Sequence, residues 1–338
     1  MAANFRVGVI GRTGRGNYGH GLDTVWKDIP RAEVVAVADE SEPGLADALE
    51  RTGAPQGYAD YRQMLDREQL DVVTVAPRWL DCHAELVIAA LEHGCHVYME
   101  KPFCRSPEEA DAIVNAAEMR HLQLAIAHQT RWSPILATVL REIEAGTIGR
   151  VLELRGRGKE DPRRGGGEDL WVLGSHILDL MRAVSGDPLS VYATVLQDGE
   201  PATLADVSDG AEGIGPLTGD QLNATYQFGG GVTGYFGSHR GGAAAPSRFG
   251  LQIYGTDGII EVLTGHLSPC HVLRDPLWSP GRSNKNWEPL TSNGVGEPET
   301  LKDGGLHAGN VLAVNDLLDC IENPMRRRRF RLVAAVLG

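Results

Sequence analysis

Over residues 1–128 short apolar runs alternate with stretches of helical spacing, and this alternation restricts the fold more than any other feature of the chain. The runs are residues 5–10 (FRVGVI), 33–38 (EVVAVA), 71–76 (DVVTVA), 96–99 (HVYM) and 122–127. They are rich in Val, Ile and Leu, as strands buried on both faces are. Residues 61–67, 80–92 and 106–120 fall between them. In the second of these Leu80, Ala84, Val87, Ile88 and Leu91 share one face, and Gly94 supplies a C-cap. The third opens on Ser106-Pro107-Glu108-Glu109, a capping box with proline at the first helical position. A segment able to form a helix also follows Gly16. Strands joined through helices pair in parallel, so this half is expected to be a doubly wound α/β sheet.

The second half reads differently. Residues 150–158, 189–196, 220–228, 232–239, 248–254 and 258–263 have strand character, several joined by Gly-rich turns such as Gly229-Gly230-Gly231. That pattern predicts a mainly antiparallel sheet in an α+β unit. Helices are expected from Ser133-Pro134 to about residue 145, over 169–185 and over 307–321. Residues 198–219 and 275–305 read as long loops able to wall a pocket or meet another subunit. The expected domains are 1–128 and 129–338.

With 338 residues the chain has room for two such cores. A net charge of −13 argues against nucleic acid or an anionic membrane as partner, since phosphate neutralisation needs surplus Lys and Arg. No apolar run approaches a membrane span, and the N-terminus enters a strand pattern rather than a signal peptide. Cys82, Cys95, Cys104, Cys270 and Cys320 are scattered without a CxxC pair, which is the pattern of reduced thiols in a cytoplasmic protein with no structural metal.

Three stretches carry chemistry. Gly11, Thr13 and Gly16 stand at the three glycine positions of a G-x-G-x-x-G dinucleotide turn, with Arg15 inside it and Gly14 beside the departure at Thr13. Asp39 ends the second strand, where an acid accepts from ribose hydroxyls. Glu40 and Glu42 follow, with no cation until Arg51, which favours NAD over NADP. A glycine turn with no ligand is the rival reading. In the stretch HVYMEKPF, Pro102 fixes Lys101 at a strand's carboxyl end, where ligands of parallel sheets bind; an exposed pair with Glu100 is the alternative. In the helix over 169–185, Asp169, His176 and Asp179 fall within one ~80° sector at about 100° per residue. Carboxylates flanking a histidine can orient it and keep it basic. Alternatively Asp169 caps the helix and His176 bonds Asp179.

Taken together, GVIGRTGRG, Asp39, Pro77, MEKPF and GSHILDLMRAVSG resemble the Gfo/Idh/MocA oxidoreductases, over nearly the whole chain. The resemblance implies an N-terminal Rossmann domain, a C-terminal open-faced sheet, and an NAD-dependent dehydrogenase of sugars or cyclitols. Lys101 matches the lysine of the family's E-K-P signature and His176 the histidine of its D-x-x-x-H pattern, the proton acceptor. The sequence departs from that pattern at Val172, where the family has Asp, so either Asp169, about one turn earlier, supplies the carboxylate or it is absent. The implied catalytic set is Lys101, His176 and Asp169. The implied cofactor set is Gly11, Thr13, Gly14, Arg15, Gly16, Asp39, Pro77, His83, Glu100, Lys101 and Gln129. Substrate would meet Lys101, Arg131, Lys159, His176 and Asp179.

Several of these residues keep other readings: capping for His83, a tie between domains for Arg131, and a solvated loop for Lys159 with Glu160, Asp161, Arg163 and Arg164. Relatives that retain NAD and cleave a glycosidic bond without net oxidation stay open because of Val172, and so does a non-catalytic dinucleotide sensor. The strand-rich half implies a homodimer or homotetramer. Arg326–Arg329 read as a solvated basic run, and residues 332–337 are short for the family's closing helix.

Overall fold

The computed structural model describes residues 4–323. The arginine run at 326–329 and residues 332–337 lie outside the described residues. Contacts divide the chain into two units. The first runs to Ala127 and includes Ala211–Gly215 and the chain from Asn310; the second comprises His128–Gly210 and Pro216–Gly309. This differs from a division into 1–128 and 129–338 because two later segments return to the first unit. There the Leu80 N–H donates to Glu212 O at 3.0 Å, and Tyr98 Oη donates to Asn310 Oδ1 at 2.8 Å.

The first unit holds β1 (Phe5–Ile10), β2 (Ala32–Ala38), β3 (Gln56–Tyr58), β4 (Val72–Val75), β5 (His96–Met99) and β6 (Leu124–Ile126), with α1 (Glu42–Thr52), α2 (Tyr61–Arg67), α3 (His83–Glu92) and α4 (Pro107–Met119). The sheet order is β3-β2-β1-β4-β5-β6, parallel throughout. Val7, Val9, Val72, Val73, Val75 and Val97 are fully buried in it, which is why the strands read as apolar runs. Strand order reverses between β1 and β4, so their carboxyl ends flank the place where open α/β sheets take ligands.

The helix expected after Gly16 is absent. Two short 3-10 turns, Gly19–Gly21 and Val25–Asp28, stand there instead. Gly16, Asn17, His20 and Gly21 all have positive φ, which no right-handed helix can accommodate.

The second unit begins with α5 (Pro134–Glu144), capped by Ser133 Oγ, which accepts from the Ile135 and Leu136 N–H groups. It continues through β7 (Val151–Arg157), α6 (Gly167–Asp169), α7 (Ser175–Ser185), β8 (Pro188–Gln197) and β9 (Glu200–Pro201). A two-stranded ribbon, β10 (Ser208–Asp209) and β11 (Pro216–Leu217), precedes β12 (Gln221–Phe228), β13 (Thr233–His239), β14 (Gly250–Gly255) and β15 (Ile259–Leu263). Next come β16 (Cys270–Leu273), α8 (Pro280–Ser283), β17 (Glu288–Thr291) and β18 (Gly294–Val295); α9 (Gly305–Glu322) follows and from Asn310 onward belongs to the first unit. Ten strands form one sheet in the order β18-β17-β16-β15-β14-β7-β13-β12-β8-β9. It is mainly antiparallel as expected, the β7 and β13 pair being parallel. The strands from β16 to β18 lie partly where a long loop was expected.

The helix expected to be continuous over 169–185 is interrupted. Leu170–Gly174 is a π-turn between α6 and α7. A π-turn holds more residues than an α-turn, so the fixed angle per residue behind the Asp169, His176 and Asp179 sector does not carry across it. Among the described residues no helix is long and apolar enough to cross a membrane.

Candidate active site

In the first unit the glycine turn leaves β1 with its amides already engaged. Gly11 N–H donates to Ala38 O at 2.9 Å, and Gly14 N–H to Asn17 Oδ1 at 2.9 Å. The departure at Thr13 has a structural role: its hydroxyl donates to Asp39 Oδ2 at 2.7 Å, and its N–H lies 3.1 Å from the same oxygen. The Ser41 N–H holds Asp39 Oδ1 at 2.9 Å. Asp39, expected to receive ribose, is thus buried beneath the turn and in part occupied by it. The methyl and hydroxyl of Thr13 fill space over α1, where a Cβ on Gly44 would lie 2.0 Å from Thr13 Oγ1.

A pocket opens beside this turn, lined by Gly11, Arg12, Asp39, Glu40, Tyr61 and Arg62 among others. Arg12 reaches Glu40 at 3.5 Å, so the acidic patch contains a cation that local sequence did not reveal. Arg15 pairs with Asp81 and lies over the Trp79 ring at 5.4 Å. At Gly14 nothing lies within 4 Å of where a Cβ would be, and φ is +86°. At Gly16, φ +88°, a Cβ would lie 2.6 Å from the Arg78 and Trp79 amide nitrogens. An open shoulder, a pocket beyond β1 and β2 and an acid at the second strand's end fit a dinucleotide.

Pro77 follows β4, and the buried His83 ties that turn to the next strand. Its Nε2 meets Pro77 O at 2.7 Å and its Nδ1 meets Pro102 O at 2.8 Å. Both ring nitrogens are engaged by carbonyls, so His83 acts as a strut. Beside it, Glu100 is fully buried and its Oε2 accepts the Lys101 N–H at 2.8 Å. Lys101 is 5% exposed at the end of β5. This is no loose surface pair.

In the second unit His176 stands on the first turn of α7, edge-on to His128 at 5.4 Å and to Phe249 at 6.3 Å between centroids. Its flanking carboxylates point elsewhere. Asp179 is clamped by Arg131, whose Nε donates to Oδ2 at 2.8 Å and whose Nη2 donates to Oδ1 at 2.5 Å. Burial pushes the Asp179 pKa up, but the charge and hydrogen bond of Arg131 together with the charges of His128 and Arg182 outweigh it, and the pKa is lowered. Asp169 Oδ2 accepts from Ser238 Oγ at 2.5 Å and from the Glu160 N–H at 3.1 Å. Its Oδ1 has no hydrogen-bond partner among the described residues. Burial holds the Asp169 pKa above the usual carboxylate value despite these two donors.

Asp169 therefore fixes the loop carrying the exposed Lys159, and it makes no hydrogen bond to His176. Gln129 is buried, its Nε2 without a hydrogen bond among the described residues. The structure brings Gly11, Thr13, Gly14, Gly16 and Asp39 into one turn, Pro77, His83, Glu100 and Lys101 into one strand end, and Arg131 with Asp179. His20, Arg12, His128, Phe249 and Ser238 were missed. Each acts through partners distant in sequence, and no local motif marks such residues.

A model described as an oxidoreductase family with an NAD-binding Rossmann fold matches residues 5–128, and a GFO/IDH/MocA C-terminal domain model matches residues 136–261. The chain is 30% identical to levoglucosan dehydrogenase of Pseudarthrobacter phenanthrenivorans over 256 residues, 68% of this chain and 65% of that protein. It is 29% identical to glycosyl hydrolase family 109 protein 1 of Bacteroides thetaiotaomicron over 160 residues, 45% of this chain and 33% of that one. Both alignments span less than two thirds of the relative's own length. A solved structure of levoglucosan dehydrogenase in complex with NADH and levoglucosan superposes with a TM-score of 0.72 at 22% identity, covering 94% of this chain and 90% of that one. At that identity the likeness is one of fold.

Proposed function

Because the chain belongs to the Gfo/Idh/MocA oxidoreductase family, we propose that it is an NAD-dependent dehydrogenase acting on a secondary hydroxyl of a sugar, cyclitol or related polyol, and on the ketone in reverse. The observation that carries this reading is a buried lysine at the carboxyl end of β5, its amide anchored to a buried carboxylate. An ammonium so held stabilises a developing alkoxide by charge and hydrogen bond. His176 takes the hydroxyl proton. When bound, the nicotinamide supplies the hydride acceptor.

The glycine turn, Asp39 and the pocket beside Arg12 and Glu40 would hold the adenosine end, with NAD preferred over NADP because Glu40 opposes a 2'-phosphate. Asp169 and Asp179 are positioning residues here, the first for the Lys159 loop and the second for Arg131. The likeness to levoglucosan dehydrogenase supports an anhydrosugar or pyranose among the substrates. We place the reaction in the cytoplasm, where five buried thiols stay reduced. The test is substitution: Lys101→Met and His176→Asn should each lower kcat on levoglucosan about a hundredfold or more. NADH binding, followed by fluorescence, should persist. Retained turnover in both variants would contradict the assignment.

A second reading keeps the cofactor and changes the outcome. Val172 stands where the family has Asp, and the nearby Asp169 is committed to Ser238 and Glu160. Transient oxidation to a ketone would acidify the neighbouring C–H, the glycosidic group would leave by elimination, and addition of water with return of the hydride would regenerate NAD; the likeness to a family 109 glycosyl hydrolase is in keeping with it. Cleavage of an aryl glycoside with no net NADH would favour this reading over the first.

A further inference from the structure

We propose that His20 is a positioning residue for Lys101, acting through Glu100. It is a residue that neither the glycine-turn motif nor the E-K-P stretch contains. His20 has left-handed backbone, φ 42° and ψ 29°, uncommon for a residue with a side chain. The conformation is fixed from both sides: Gly19 N–H donates to Ala76 O at 2.7 Å, and Asn310 Nδ2 donates to His20 O at 3.0 Å. Asn310 is itself held by Tyr98 Oη at 2.8 Å. Tyr98 lies in β5, two residues before Glu100, which directly follows the strand, so the network closes on the strand whose end it serves.

The ring of His20 is turned onto that end, where Nδ1 hydrogen-bonds Glu100 Oε1. The approach is so close that a Cβ on Gly19 would lie 2.3 Å from the same oxygen. Glu100 Oε2 carries the Lys101 amide at 2.8 Å. From the other side His83 holds Pro102 O at 2.8 Å. Residues 100–102 are thus gripped on both flanks by imidazoles.

Burying a carboxylate against an imidazole is a poor way to gain stability, since two apolar side chains would fill the space without the desolvation penalty. What the pair provides is direction. A carboxylate with one oxygen on His20 and the other on the Lys101 amide has a single orientation, and it fixes where the lysine stem leaves the strand. Without the imidazole donor, Glu100 is left buried with one oxygen unpaired, and reorienting it releases the Lys101 amide.

This inference rests on the role given to Lys101 above, so its test includes a readout that needs no substrate. In the full-length protein, wild type, His20→Ala and His20→Asn are treated with N-hydroxysuccinimidyl acetate, and acetylation at each lysine is followed by peptide mass spectrometry. In parallel, kcat on levoglucosan and the NADH Kd are measured. Asn places an amide nitrogen near the position of Nδ1 and tolerates positive φ.

We expect acetylation of Lys101 in His20→Ala to rise about fivefold through local opening, while Lys27, Lys159 and Lys285 stay within about twofold of wild type. kcat should fall about tenfold to a hundredfold from misplacement, with the NADH Kd nearly unchanged. His20→Asn should restore both. An unchanged Lys101 rate, a rise shared by all lysines, or an Asn variant as impaired as Ala would overturn the proposal. If His20→Ala does not fold, His20→Gly, which takes the same positive φ without the ring, replaces it, and an unchanged Lys101 rate there overturns the proposal. If wild type oxidises no sugar, the dehydrogenase reading fails while the acetylation result still decides the role of His20.

Discussion

Arg131 and Asp179, both expected from sequence to meet substrate, are bound to each other. Both side chains are mostly buried, 8% and 13% exposed, and their contact is bidentate. Removing one partner of such a pair leaves the other buried and uncompensated, so Asp179→Asn should cost about 3–5 kcal/mol at neutral pH in urea unfolding. Because the folded-state pKa of Asp179 is lowered, burial being outweighed by Arg131, His128 and Arg182 together, its contribution is present above the unfolded carboxylate value and is lost as pH falls through the folded one. The penalty of Asp179→Asn should therefore shrink toward pH 3; a penalty independent of pH would contradict the ion-pair account. At this scale the sequence was legible where a motif fixes a backbone position, as for Lys101 before Pro102 and the glycines around Thr13. It was illegible where a side chain chooses among partners far along the chain. Asp169 lies within one turn of the position the family pattern names, yet Ser238, 69 residues away, takes its oxygen.

The interrupted helix and the glycine turn make the same point for elements. Residues 175–185 are helical as expected, with Ile177, Leu180 and Met181 buried, but a π-turn leaves no signature in hydrophobic spacing. Gly14, Gly16 and Gly21, with Asn17 and His20 also at positive φ, forbade the helix that the turn motif had implied. What the Rossmann turn lost in glycine at Thr13 it regained at Gly44, where α1 begins. Gly44→Ala should thus destabilise the protein by about 1–3 kcal/mol through overpacking against the Thr13 side chain. Thr13→Gly should relieve most of that cost in a double-mutant cycle. Additive effects of the two substitutions, measured by thermal unfolding, would show that the pair is not coupled.

For the molecule as a whole, the alternation of strands and helices foretold the parallel unit, and the Gly-rich turns foretold the antiparallel one. The return of Ala211–Gly215 and of the chain from Asn310 to the first unit had no local signal. In the second unit one face of the ten-stranded sheet leaves aromatic side chains in solvent. Tyr192 is 73% and Tyr235 41% exposed, and both stand opposite Thr225 in register. We propose that this face joins copies of the chain into a homodimer or homotetramer. Sedimentation equilibrium should then find an oligomer for wild type and a folded monomer for the double variant Tyr192→Lys, Tyr235→Lys; a monomeric wild type would contradict it. Hydride transfer between NAD and a carbinol carbon is read by following absorbance at the NADH band while purified protein and NAD are mixed with levoglucosan, inositols and pyranoses. NADH should accumulate in step with ketone, one for one, on at least one member of the panel; release of a leaving group without NADH, or no turnover on any member, would contradict the proposed dehydrogenase.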